Sequence, residues 1–324
     1  MVPSVTRTPV DHPAATPGTL ATPTAPVTPA VPELPSLARK SVIDETLVTG
    51  WSNRSETSQQ VTVQWPAEHT LYAEDGHYSP LLVAESMRQA LTVLTYGVHG
   101  IPLGHRLGME RIRLATNPHA LHQEDGSPVV DLLVRHGEVR RRRGGSAHFV
   151  SQVKAVRAGQ RCGLAEVHYS THPPALYDRL RGRHADAPAA FARALPPGPP
   201  VPAAQVGRRS ARNVVLSPTG LPAQWQLRLD TGHPVLFDHP HDHVPGMVLL
   251  EAAAQAASAV LGRPVVPAAL DATFLRYVEF DQPCLVAAEP APPGDNGRPR
   301  VRVRGYQDGR PVFAVNVIAT PRVA

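Results

Sequence analysis

Two stretches of the chain repeat each other, and this repeat limits the possible folds more than any other feature. Laid together without a gap, His77 falls on His243, Pro80 on Gly246, Glu85 on Glu251 and Gln89 on Gln255. Chance aligns one such pair, but seldom a histidine, a carboxylate, an amide, a helix start and the strand order that follows. Each copy carries one long helix, over 81–96 in the first and from Pro245-Gly246 to about Leu261 in the second. Both are apolar on most of their surface. The polar residues Glu85, Arg88, Gln89 and Thr92 share one face of the first, and Glu251, Gln255 and Ser258 one face of the second. Strand-like segments follow each helix. A rod that is oily on nearly every side has to be wrapped by that sheet, which predicts an α+β domain with a strongly curved antiparallel sheet, made twice.

The boundaries come from composition. At 324 residues the chain has room for two domains of ordinary size. Residues 1–37 are Pro, Thr, Ala and Val with almost no charge and no periodicity, and read as a disordered leader. The first domain is expected over 38–180, with strands at 41–48 and 60–65 before the helix and four more between 110 and 170. A Pro/Ala/Arg-rich stretch, 181–207, reads as the connection between domains. The second domain, 208–324, starts the pattern again with strands at 213–216 and 225–229 and four more after its helix. Turns at Gly159-Gln160 and Asp308-Gly309 occupy matching places.

Several function classes lose support. Cys162 and Cys284 lie far apart with no ligand spacing around them, so no disulfide framework and no metal site are signalled, and both read as buried thiols. No apolar run reaches membrane-spanning length and no signal-peptide pattern opens the chain, so a cytoplasmic protein without membrane contact is expected. The net charge is +5, with Arg140 to Arg143 consecutive. That run could hold an acidic protein or a phosphate, or be a solvated loop. It has no interleaved aromatics, which argues against nucleic acid.

The candidate chemistry concentrates in 231–258. His233, His239 and His243 sit in a turn-rich loop, and a helix then opens at Pro245-Gly246 with Glu251 facing the core. Burial raises a carboxyl pKa and would make Glu251 a proton carrier near neutrality; the bland alternative is a Glu that finds an Arg partner. The first N–H groups of the helix face the loop and could polarise a carbonyl, with Gly246 letting a ligand approach the backbone.

The segment Gly232-His-Pro-Val-Leu-Phe-Asp-His-Pro, followed by Val244-Pro-Gly-Met-Val-Leu-Leu-Glu-Ala-Ala-Ala-Gln255, resembles the hot-dog-fold 3-hydroxyacyl-carrier-protein dehydratases, with a loop two residues shorter. The tandem repeat, together with Ala84-Glu-Ser-Met-Arg-Gln-Ala90 and Tyr96-Gly-Val-x-x-x-Pro102, is more specifically similar to the AfsA-type family of A-factor, or γ-butyrolactone, biosynthesis proteins. This resemblance covers about residue 40 to the C-terminus. It implies a tandem hot-dog fold and an acyltransferase without cofactor, which moves a β-ketoacyl group from acyl carrier protein to the hydroxyl of dihydroxyacetone phosphate. The thioester carbonyl would lie near Gly246, and Glu251 or His239 would take the hydroxyl proton.

By analogy with hot-dog dimers, Glu85 would face His239, and Glu251 would face His69 or His77. Arg88 has Ala254 as its counterpart, so the sites are not equivalent. It either holds a phosphate or neutralises Glu85. Gln89, Gln255 and His243 join the substrate-binding candidates. Counting from His69 and His233, Asp75 holds the place that His239 holds, so the first half lacks one histidine. No Ser or Cys nucleophile with a base is evident, which favours direct transfer. Two other readings compete: a dehydratase or thioesterase on the same residues, and a non-catalytic acyl-ligand regulator. Whether the two repeats close as a monomer or pair further is left open.

Overall fold

The computed structural model describes residues 33–294 and 297–322. Each half consists of two strands, a central helix and four further strands. In the first half these are Val48–Ser55, Ser58–Gln64, the helix Pro80–Gly97, then Arg106–Thr116, Val129–His136, Ala147–Arg157 and Gln160–His172. The second half answers with Leu216–Pro218, Gln224–Leu227, the helix Gly246–Leu261, then Val265–Phe274, Cys284–Ala291, Arg300–Gln307 and Arg310–Pro321. The strand that leaves each helix crosses to the far side of its own sheet and pairs there with the last strand. The two sheets then join edge to edge, Arg111–Ala115 running antiparallel to Ala269–Thr273. The joint uses up the edge that each half would otherwise expose. This is the double hot-dog α+β fold that the repeat predicts.

The helices are buried as their composition requires. Between Pro80 and Tyr96 every residue except Arg88 is buried, and in the second helix Met247 to Ser258 are buried except Ala254. Arg88 and Ala254 are the aligned pair, so both helices present the same face to an opening. Gln89 and Gln255 tie the helices to the chain before them in the same way. Gln89 Oε1 accepts from Leu47 N–H at 2.8 Å and its amide donates to Glu45 O and Glu85. Gln255 Oε1 accepts from Val215 N–H at 3.0 Å and its amide donates to Asn213 O and Glu251. The matching hairpins also agree: Ala158 and Gly159 have φ of 46° and 76°, and Asp308 and Gly309 50° and 67°, the two left-handed positions of a tight turn between twisted strands.

Four expectations need correction. The first strand is Val48–Ser55, not 41–48, where Ile43–Glu45 is a short 3-10 turn. It is an edge strand, so Ser52, Asn53 and Arg54 can face solvent and the apolar alternation is lost. The expected strand at 213–216 likewise starts only at Leu216, after a 3-10 turn over Ala211–Asn213. The proposed leader lies outside the described residues over 1–32, but its end forms the helix Glu33–Ala38, with Leu34 and Ala38 buried against the first central helix. The stretch 181–207 is not a free linker. Arg181 is buried with its fork on Glu279 (Nη2 to Oε2, 2.9 Å), Ala187–Ala192 is helical, and Leu195 N–H donates to Phe280 O. Cys162 and Cys284 are buried free thiols, their pKa values pushed up by burial to about 11 and about 12.

Candidate active site

A cavity lies at the start of each central helix, and each takes its carboxylate from the other half. The first, of about 340 Å³, opens at Pro245, Gly246 and Met247 and is lined by Glu85 and Arg88 of the opposite helix. Asp238, His239, His241, Asp242 and His243 form its polar wall, with Arg39, Lys40 and Arg106 beside them. Its apolar part is made by Leu91, Ile112, Val167 and Leu250, between helix and sheet. The second, of about 560 Å³, opens at Ser79, Pro80 and Leu81 and is lined by Glu251, Arg208, Glu74 and His77. A larger open groove on the outer sheet face, about 910 Å³, holds no histidine and no residue of either helix.

In the first cavity charged groups form a chain that ends on a histidine. Arg88 clasps Glu85 with Nε and Nη2, both at 2.8 Å, and Gln89 donates to it. Lys40 Nζ lies 3.4 Å from Glu85 and 3.8 Å from Asp238. Asp238 accepts from Ser41 N–H at 3.0 Å and from His239 Nδ1 at 2.9 Å. That bond places the imidazole proton on Nδ1 and leaves Nε2 unprotonated, the arrangement of an oriented general base. Burial would raise the Asp238 pKa, but the His239 bond and Lys40 outweigh it and hold the carboxyl well below its usual range.

Glu85, expected to face His239, lines the same cavity as that histidine. Burial alone would raise its pKa, yet Arg88 and Lys40 pull it down to about 2, so it stays an anion at neutrality. Arg88, in turn, spends its fork on Glu85.

The helix starts differ in the donors they offer. Before Gly246 stands Pro245, which supplies no side-chain cap, so the N–H groups of Gly246 and Met247 have no acceptor within the helix. Val248 N–H already bonds to Pro245 O. At the first helix, Pro80 has no N–H, Ser79 Oγ accepts from Leu81 N–H, and Leu82 N–H donates to Ser79 O. The first cavity therefore has backbone donors aimed at it, and the second has had them consumed.

In the second cavity the carboxylate is fully engaged. Arg208 Nε donates to Glu251 Oε1 at 2.8 Å and Nη2 reaches Oε2, while Nη1 bonds to Leu71 O and Glu74. Glu251 and Glu74 hold the Arg208 guanidinium above its ordinary pKa, although burial works against it. His77 Nδ1 donates to Asp75 O at 2.8 Å, leaving Nε2 to accept from His122.

Among the described residues, Asp238, His239 and His241 are the group whose spacing could hold a metal ion, with ligand atoms within 4.8 Å of one another. Lys40 beside Asp238 puts positive charge where a cation would sit. Burial pushes His241 down to about 3, so it is neutral.

Comparison with known proteins adds the family. The A-factor biosynthesis hotdog domain matches residues 26–173 and 190–321. The chain belongs to that family. Its relatives include 2-oxo-3-(phosphooxy)propyl 3-oxoalkanoate synthases from Streptomyces virginiae (39% identical over 86% of this chain and 94% of that one), Streptomyces griseus (38%, 86% and 92%) and Streptomyces coelicolor (35%, 86% and 88%). Among solved structures the chain is similar to an acyl-ACP thioesterase from Bacteroides thetaiotaomicron, at 11% identity and a TM-score of 0.49 over 81% of this chain and 98% of that one.

In this A-factor-family protein most residues singled out from sequence fall in one cavity or the other. Glu85, Arg88, His239, His243 and Gly246 line the first; Glu251, Gln255 and His77 line the second; Gln89 lines neither and ties its helix to Leu47 and Glu45. His69 lines neither. Its Nδ1 accepts from Leu71 and Tyr72 N–H and its Nε2 meets Glu45, just as His233 Nδ1 accepts from Val235 and Leu236 N–H and its Nε2 meets Asn213. These two histidines pin loops. His243 bonds to Asp242, which also accepts from Tyr177 and Arg181. Sequence reasoning did not give roles to Asp238, Lys40 or Arg208. The dipeptides Asp238-His239 and Asp242-His243 were a signal for the first, since a carboxylate next to its histidine can orient it. Arg208 lies 43 positions from Glu251 and left no signal.

Proposed function

We propose that the protein transfers a β-ketoacyl group from acyl carrier protein to the hydroxyl of dihydroxyacetone phosphate, as a 2-oxo-3-(phosphooxy)propyl 3-oxoalkanoate synthase, and that the first cavity carries the reaction. The observation that carries this reading is the Asp238–His239 dyad beside the uncapped N–H groups of Gly246 and Met247. The acyl chain lies along the apolar wall, with its thioester carbonyl towards the helix start. His239 Nε2 takes the proton of the acceptor hydroxyl as its oxygen bonds to the carbonyl carbon. The oxyanion is held by the backbone donors and the helix dipole. Collapse breaks the C–S bond, and the thiolate leaves with the proton from His239. Asp238 stabilises the imidazolium in between, and Glu85 holds Lys40 and thereby Asp238 in place.

Glu251 has no role in proton transfer here, because Arg208 and Gln255 occupy its oxygens. A thioester substrate and a triose phosphate are both made in the cytoplasm, where the protein is expected to act. Among the described residues no helix is long and apolar enough to cross a membrane. The test incubates purified protein with β-ketoacyl-carrier-protein, with and without dihydroxyacetone phosphate, and follows products by mass spectrometry. The phosphorylated ester is expected only with both. Free acid or enoyl product without the triose would instead support a thioesterase or dehydratase.

A further inference from the structure

The acyl-transfer reading needs a place for a phosphate dianion, and Arg88 cannot supply it while its guanidinium clasps Glu85. Two other guanidiniums on the wall of the first cavity are not clasped by an acid among the described residues. Arg39 and Arg106 both line it, and among the described residues neither has a carboxylate within 4.0 Å. Arg39 is held against the segment that carries Arg106. Arg39 Nη1 donates to Tyr96 Oη at 3.1 Å and to His105 O at 3.3 Å, and Tyr96 itself donates to His105 O at 2.9 Å. His105 is the residue before Arg106. Burial raises the Tyr96 pKa, and the charges of both Arg39 and Arg106 act against that rise.

The backbone supports a purposeful placement. Arg39 has φ of 54°, a left-handed conformation that non-glycine residues seldom take. Arg39 and Lys40 thereby reach the same cavity but different neighbours: Lys40 the Glu85–Asp238 pair, Arg39 the Tyr96–His105 knot. The second cavity offers the contrast. Its Arg208 is held by Glu251 and Glu74, and its Arg322 by Glu74 and Asp75 at 3.4 Å. Two like charges on one half-buried wall, neither joined to a carboxylate, favour an anion between them, and a phosphate with three acceptor oxygens suits two forked donors.

We infer that Arg39 and Arg106 form the anion subsite of the first cavity and bind the phosphate of the three-carbon acceptor, the Tyr96 hydroxyl positioning Arg39. This rests on the acyl-transfer reading for the identity of the acceptor, but not for the existence of the subsite. A phosphate could also come from the pantetheine arm of the acyl carrier protein, so the test separates the two sources.

Steady-state rates are measured for Arg39→Gln and Arg106→Gln with β-ketoacyl-carrier-protein and with the N-acetylcysteamine thioester, which carries no phosphate. Each variant is expected to raise KM for dihydroxyacetone phosphate about tenfold or more with either donor. The lysine variants should recover part of the loss, and turnover of unphosphorylated dihydroxyacetone should match wild type. Equal losses with dihydroxyacetone, or an unchanged KM for the triose phosphate, overturn the inference. A KM increase for the carrier-bound donor alone overturns it too, and assigns the arginines to the carrier arm. Calorimetric titration of dihydroxyacetone phosphate into enzyme without donor separates the two proposals. Arginine-dependent binding without ester formation would leave the subsite standing and remove the acyl-transfer reading. Ester formation indifferent to both arginines would do the reverse.

Discussion

The two cavities are assembled from corresponding parts of a repeated chain, but their charges are connected in opposite ways. In the second, Arg208 takes both oxygens of Glu251, and Ser79 and Pro80 close the helix start. In the first, the Glu85 charge is passed through Lys40 to Asp238 and ends on a histidine whose Nε2 is free, next to a helix start left uncapped by Pro245. The repeated chain supplies two similar frames. In the second the buried arginine and carboxylate are joined to each other, and in the first the ion pair extends through Lys40 to the Asp238–His239 pair.

The comparison breaks most directly at the histidines. His239→Ala should lower the acyl-transfer rate by roughly 10²–10⁴-fold, the usual worth of a positioned general base, while His77→Ala stays near wild type. Equal losses in kcat for both variants would mean that the chemistry is shared between the cavities.

Stability should show the reverse preference. Arg208→Ala leaves Glu251 buried without its partner and should cost about 3–5 kcal/mol in chemical denaturation. Arg88→Ala should cost less, because Lys40 remains 3.4 Å from Glu85. If Arg88→Ala proves the more damaging, the second ion pair is not the stabilising one.

Gly246→Pro makes the second helix begin as the first does. Proline is tolerated at the first helical position, and a Cβ there would meet the Phe274 ring at an ordinary 3.4 Å. The fold should survive while the loss of one backbone donor lowers kcat about 10²–10³-fold, measured beside a circular dichroism melt. An unchanged kcat would remove the oxyanion role of this end.

The smallest expected effect is on acid stability. Glu85 has a folded pKa of about 2 against an ordinary 4.5, so its contribution is complete above pH 4.5 and is lost as pH falls towards 2. Urea midpoints taken across that interval should fall less steeply in Glu85→Gln than in wild type, and parallel curves would deny the ion pair.

Much of this was readable beforehand, because it depends on neighbours in the chain. Helical spacing placed Glu85, Gln89, Glu251 and Gln255 on inward faces, and turn chemistry placed both hairpins. The strand Val48–Ser55 was misplaced because an edge strand with one free side need not alternate. His69 was misjudged because a loop histidine that caps N–H groups looks, in sequence, like one that meets a ligand.

What the sequence determined by itself is the double frame: two oily helices, each wrapped by a sheet and each bringing one acid inward, since burial follows local periodicity. What each acid meets beyond its own helix was decided only by tertiary structure. Lys40, Arg208 and Asp238 come from distant segments, and a buried charge takes its state from whatever stands within a few ångströms of it.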